Sequence, residues 1–170
     1  MDPDLAERIV AASELHGEFV LSSGATSNVY FDKFRFLTEP GLLREVAVAV
    51  GRLLPPGVTS LGAPEGAAML LVAAVALETG LPVTVVRKEP KAYGTRSRLE
   101  GGPVEGARIA LLEDVSTTGR QVRSAAEALH AAGAKVELIV LAIDRGGGEH
   151  LREAGYRVEA VATVEGALEG

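Results

Sequence analysis

The sequence predicts an α/β protein built on a central, mostly parallel sheet flanked by helices. Three observations predict it. From residue 58 onward, short apolar runs alternate with helical patterns at a regular beat. Those runs are continuously apolar, as expected of strands covered on both faces. Gly80, Gly133 and Gly155 each follow a helical stretch, where a left-handed cap would end it. At 170 residues, with 47% hydrophobic and 24% charged content, the chain fits one domain whose core needs no metal or disulfide staple.

Taken in order, Asp2 to Leu15 places Leu5, Ile9, Val10 and Leu15 on one face and acids at its start, which predicts an amphipathic helix. Phe19 to Leu21 and Asn28 to Phe31 read as two strands of a hairpin around the small residues 22–27. Glu39 to Leu54 is helical and is closed by Pro55-Pro56-Gly57. Then come a strand at Val58 to Leu61, a helix at Pro64 to Thr79, a strand at Pro82 to Arg87 and a long polar loop to Gly106. A strand at Arg108 to Leu112, a helix at Gly119 to Ala132, a strand at Lys135 to Ile143, a short helix at Glu149 to Ala154 and a strand at Arg157 to Val164 complete the alternation. In such a sheet ligands sit at the carboxyl ends of the strands.

Composition removes several chemistries. With no cysteine there is no disulfide, thiol nucleophile or thiolate metal site. A net charge of −6 argues against a nucleic-acid or anionic-membrane partner. The acidic opening lacks a signal pattern, and the longest apolar run, Ala67 to Leu77, is too short to span a bilayer, so a cytoplasmic protein is expected. His16, His130 and His150 read as helix-surface residues.

The most informative stretch is ARIALLEDVSTTGRQV. A buried strand ends in Glu113-Asp114, and the turn Ser116-Thr117-Thr118-Gly119 opens a helix. Small residues let successive amides point inward at a phosphate, threonine hydroxyls add donors, and the helix dipole favours the negative charge. The carboxylates are spaced to accept from the hydroxyls of a ribose whose 5-phosphate lies in the turn, or to hold a cation. On these residues alone, the turn could equally cap a helix and the acids solvate a strand end. No Gly-Lys-Ser/Thr follows, which argues against a nucleoside-triphosphate loop, and no G-x-G-x-x-G marks a dinucleotide fold.

LLEDVSTTG is similar to the phosphoribosyl pyrophosphate (PRPP) motif of the type I phosphoribosyltransferases. The resemblance implies that family's fold, with Glu113 and Asp114 on the ribose hydroxyls and Asp114, Val115, Ser116, Thr117, Thr118, Gly119 and Arg120 around the 5-phosphate.

Two further segments concern the base. Arg87-Lys88-Glu89-Pro90-Lys91-Ala92-Tyr93-Gly94-Thr95 carries three cations into a glycine-rich loop, suited to a lid that stabilises a departing diphosphate. The pattern resembles the catalytic loop of orotate phosphoribosyltransferases, implying that Arg87, Lys88 and Lys91 contact the diphosphate and that Lys91, Tyr93 and Asp114 are catalytic. Tyr93 stands where the family more often has histidine. FVLSSGATSNVYFDKFRF gathers the phenylalanines of an aromatic-poor chain and resembles that family's N-terminal hood hairpin. The resemblance implies that Ser23, Gly24, Tyr30 and Phe31 line the pyrimidine pocket, with Asp32 and Lys33 following, Thr117 nearby and Arg145 of Ile143-Asp144-Arg145 taking the orotate carboxylate. Pro64-Glu65 stands where some members carry lysine.

Together these imply one domain over 1–170, with a hood at about 1–36, a core from about 37 and a mobile loop at about 88–106. They also imply transfer from PRPP to orotate, Mg²⁺ held mainly by PRPP with no strong protein ligand, and a homodimer whose loop completes the neighbouring site. A purine phosphoribosyltransferase would keep LLEDVSTTG but lack the hood and the RKEPKAYGT loop, and an RNA-binding regulator of the same fold would need a basic face.

Overall fold

The computed structural model describes residues 2–20, 24, 26–90, 97–102 and 104–164. Helix α1 (Pro3–Ser13) is capped by the Asp2 carboxylate, which accepts from the Asp4 amide, and has proline at its start. Strand β1 (Glu14–Val20) follows directly and pairs antiparallel with β2 (Thr26–Phe31). The sequence predicts helix as far as Leu15, but Glu14 and Leu15 are taken by ladder pairs with Phe31 and Tyr30. Cross-strand pairing outweighs local preference there, and no glycine or proline marks the change. His16 therefore lies on an exposed strand, not on a helix.

The one-turn helix α2 (Phe34–Leu37) sinks Phe36 and Leu37 into the core, so Phe36 fills the interior rather than facing a ligand. Then come α3 (Pro40–Leu53), β3 (Ser60–Pro64), α4 (Ala68–Thr79), β4 (Val83–Val86) and β5 (Leu99–Gly101). The chain finishes with β6 (Arg108–Ser116), α5 (Arg120–Ala131), β7 (Lys135–Asp144), α6 (Gly147–Glu153) and β8 (Val158–Thr163). Strand β3 runs later than the sequence predicts because it pairs with β4 up to Pro64↔Val86, and α4 accordingly starts at Ala68 rather than Pro64. The stretch read as loop to Gly106 contains β5, a three-residue edge strand antiparallel to β4 and too short to show a period.

The six-stranded sheet has the order β5-β4-β3-β6-β7-β8, and every pair but β4–β5 is parallel. Helices α1, α3 and α4 cover one face over Leu61, Leu112 and Ile143, and α5 and α6 cover the other over Ile109, Leu111 and Leu141. Burying each such aliphatic side chain stabilises the fold by about 1.5–3 kcal/mol. From β3 the chain moves outward to β4, then crosses back to β6 on β3's other side, so the topological switch point lies between β3 and β6. The β3–β6 ladder ends at Gly62↔Leu111, while β6–β7 runs on to Ser116↔Asp144. The last turns of β6 thus project beyond β3, where the crevice opens.

Candidate active site

Glu113 and Asp114 lie in that projecting end of β6, 4% and 1% exposed. Burial, reinforced by Asp114, pushes the Glu113 carboxyl up to about 9, against a smaller opposing pull from Lys33. Burial beside Asp114 thus favours the protonated form of Glu113, which donates as well as accepts. Lys33 Nζ, on the turn after β2, stands 2.8 Å from Asp114 Oδ2. A neutral acid beside a cation-paired carboxylate offers a vicinal diol both a donor and an acceptor.

Beyond the acids, Val115 and Ser116 finish the strand, Thr117 and Thr118 are exposed, and Gly119 leads into α5 at Arg120. Gly119 has φ +70°, and a Cβ there would press on Gly147 O and Leu151, both 3.0 Å away. Gly147 in turn has no room for a Cβ against Ser116 Oγ. The turn and the start of α6 are therefore seated directly on each other. Asp144 Oδ1 accepts from the Gly146 and Gly148 amides at 3.0 and 2.9 Å, and the Arg145 amide donates to Ser116 O at 2.8 Å. These bonds fix Arg145 beside the turn at 116–119.

Arg145 is 8% exposed, and its guanidinium lies 4.7 Å from the centroid of the Phe31 ring. Burial pushes its pKa down, with Glu14 opposing, and guanidinium remains charged regardless. Stacking engages the face of the guanidinium whereas a carboxylate is met at its edge, so the two uses are compatible. Tyr30 projects to the opposite face of β2 and packs on Phe19 at 5.5 Å between centroids. The aromatic pair is thus split, with Phe31 facing the core and Tyr30 half-exposed outside. Gly24 lies at the tip of the hairpin with φ +85°.

At the end of β4, Arg87 and Lys88 border a cleft of about 320 Å³ shared with Pro64, Arg98, Arg120 and Gln121. Glu65 sits at its edge, accepting from the Lys88 amide at 2.7 Å and lying 4.0 Å from Arg87 Nε. Ser23, Lys91 and Tyr93 lie outside the described residues.

No family model matches the chain. An orotate phosphoribosyltransferase from a Nocardioides species is 45% identical over 165 residues, covering 96% of this chain and 92% of the relative. The chain belongs to the orotate phosphoribosyltransferases. The crystal structure of orotate phosphoribosyltransferase from Aeropyrum pernix matches 94% of the chain and 93% of its own at 32% identity, with a TM-score of 0.78. That from Mycobacterium tuberculosis matches 95% of both at 27% identity and a TM-score of 0.82.

As an orotate phosphoribosyltransferase, the chain has the type I fold expected from its sequence, with the hairpin hood folded over the sheet's carboxyl edge. The structure brings together Glu113, Asp114, the phosphate turn, Arg145 and Phe31, and sets Arg87 and Lys88 on the β4 side of the crevice. Two features escaped the sequence reading. The pairing of Lys33 with Asp114 joins residues 81 positions apart (33 and 114), which no local pattern encodes. The glycine run 146–148 was legible as an oddity directly after Arg145, and its use is to let α6 sit against the phosphate turn.

Proposed function

We infer that the protein transfers the 5-phosphoribosyl group of PRPP to orotate, forming orotidine 5′-phosphate and diphosphate in de novo pyrimidine synthesis. Beyond family membership, the observation that carries this reading is the closure of the hood on β6 and β7. Phe31 covers Arg145 at 4.7 Å while Lys33 meets Asp114 at 2.8 Å, so a flat anion and a ribose would lie side by side beneath one hairpin.

In this reading the amides and hydroxyls from Ser116 to Arg120 hold the 5-phosphate at the start of α5. Glu113 and Asp114 hold the ribose hydroxyls. Arg145 takes the orotate carboxylate, with Phe31 supplying apolar area beside the ring. Arg87, Lys88 and Lys91 stabilise the charge that gathers on the diphosphate as the anomeric carbon becomes oxocarbenium-like and the orotate nitrogen attacks the opposite face. Tyr93 supplies a phenolic donor to the same group. No covalent intermediate with the chain is required.

Mg²⁺ belongs to the same proposal. Among the described residues no group of three or more acids or histidines is arranged to hold a metal. Mg²⁺ keeps several of its waters and commonly enters on substrate phosphates, so in this reading it arrives on the oxygens of PRPP.

The homodimer is supported by α4, which is apolar from Ala68 to Leu77 and leaves Leu77 91% exposed together with Met69 and Leu70. A helix of this kind fits against a second copy, and in this reading each subunit's loop completes the other's site. Cytoplasmic placement is part of the same proposal. No described helix is long and apolar enough to cross a membrane.

The test is the fall in orotate absorbance on mixing protein, orotate, PRPP and Mg²⁺, with adenine, hypoxanthine and uracil in parallel. Consumption of orotate alone, abolished by EDTA and restored by Mg²⁺, is the expected result. Reaction of another base would overturn the hood assignment, and full activity in EDTA would overturn the metal's role.

A further inference from the structure

The hood and the main sheet are separate sheets with no strand shared between them. The hood's position over β6 therefore depends on α1, α2 and on side chains that cross the gap. One crossing is a charge. Lys33 Nζ lies 2.8 Å from Asp114 Oδ2, with the Asp114 side chain 2% exposed and that of Lys33 40% exposed.

Lys33 does not reach this carboxylate from a loose loop. The Asp32 amide donates to Ser13 O at 2.8 Å, and Asp32 Oδ1 accepts from the Phe34 amide at 3.0 Å. One residue further, α2 fixes the chain by burying Phe36 and Leu37. A lysine on a surface turn ordinarily leaves its ammonium in water. This one is held where its ammonium meets a buried acid that has a second buried acid, Glu113, as its neighbour in the chain. Removing one partner of a buried ion pair leaves the other charge uncompensated, and Lys33 is the cation that meets the Asp114 carboxylate here.

We propose that Lys33 is a positioning residue, holding Asp114 in the orientation that receives the ribose of PRPP. The inference rests on the reading of Asp114 as a ribose ligand. It makes the hood more than a cover for the base. Because the ammonium is delivered by the turn that ends the hairpin, the order of the carboxylate depends on the seating of the hood. A residue carried by the pyrimidine-binding element thereby sets the affinity for the other substrate.

The experiment is a double-mutant cycle on Lys33→Met and Asp114→Asn, with Lys33→Arg as the conservative variant, reading KM for PRPP, KM for orotate and kcat. Lys33→Met is expected to raise the KM for PRPP about tenfold and to leave that for orotate within about twofold, with Lys33→Arg regaining most of the loss. In the Asp114→Asn background Lys33→Met should add nothing further. Independent, additive losses would overturn the proposal, as would a rise confined to the orotate KM, which would place the ammonium on the pyrimidine instead. If Asp114→Asn alone leaves the KM for PRPP unchanged, the ribose reading fails and this inference falls with it. Should Lys33→Met not fold, Lys33→Gln, which keeps a donor without the charge, takes its place in the same cycle.

Discussion

At the end of β6 the Glu113 carboxyl is 4% exposed, and burial beside Asp114 raises it from 4.5 to about 9. Between those two values the folded chain binds more protons than the unfolded one, so this group makes stability fall as pH rises. Below 4.5 it has no effect, and above about 9 its cost is complete. Glu113→Gln should therefore flatten the decline of Tm between pH 5 and 9 and melt higher than the parent at pH 8, each kcal/mol recovered being worth about 2–4 °C. Melting curves across that range check it, and parallel profiles for the two proteins would remove Glu113 as the source. The same substitution should weaken PRPP binding if the acid serves the ribose. At Arg145 the expectation is selective. Arg145→Ala should lower kcat/KM for orotate by about 10–100-fold, the worth of a charge-assisted hydrogen bond, and leave the KM for PRPP nearly unchanged. Arg145→Lys should recover little, because an ammonium cannot make the paired bonds of a guanidinium. Steady-state kinetics with each substrate varied decide it, and equal losses for both substrates would assign Arg145 to scaffolding.

The elements differ in how openly the sequence displays them. The long strands β6 and β7 and the helices α3 and α5 are bounded by proline, glycine and unbroken apolar runs, and the structure has them within a few residues of their sequence limits. Strand β5 and helix α2 were invisible because three or four residues carry no period, and each exists through what it packs on, β4 for one and the core around Phe36 for the other. The turn at 116–119 between β6 and α5 was legible because its residues are contiguous in the chain. The Lys33–Asp114 pair and the splitting of Tyr30 from Phe31 were not, since both depend on where the hairpin lands. The β4–β5 pair has a functional corollary. Arg87 and Arg98 are tied by Arg87 N–H to Arg98 O at 2.7 Å and by Arg98 Nε to Arg87 O at 3.0 Å. The stems that carry residues 91–96 are therefore anchored together at the sheet edge. A cation delivered from such a base is most useful once the diphosphate begins to leave. Lys91→Ala should lower kcat by about 10²–10³-fold while changing the orotate KM little. Equal losses in kcat and in orotate affinity would deny Lys91 that role.

For the molecule as a whole, the open question is whether one chain contains a complete site. Helix α4 is apolar as far as Leu77, which is 91% exposed and stands beside a cleft lined by Pro40, Leu43, Arg44, Ala47, Ala74 and Glu78. Water on that surface is unfavourable, and pairing with the same surface of a second copy would bury it under twofold symmetry. Light scattering should then give twice the 17.6 kDa of one chain, and Leu77→Glu should yield monomers. If the catalytic loop serves the neighbouring subunit, activity and assembly are linked, and mixing tests the link directly. Lys91→Ala damages the loop that a subunit gives away, whereas Asp114→Asn damages the site it keeps. Each homodimer then has two defective sites. In a hybrid, one site combines an intact Asp114 with an intact Lys91 from the partner, while the other collects both defects. Unfolding and refolding the two variants together should restore activity that neither shows alone, and Leu77→Glu placed in both should abolish the recovery. A mixture no more active than its components, with hybrid dimers demonstrated by mass, would confine the loop to its own subunit.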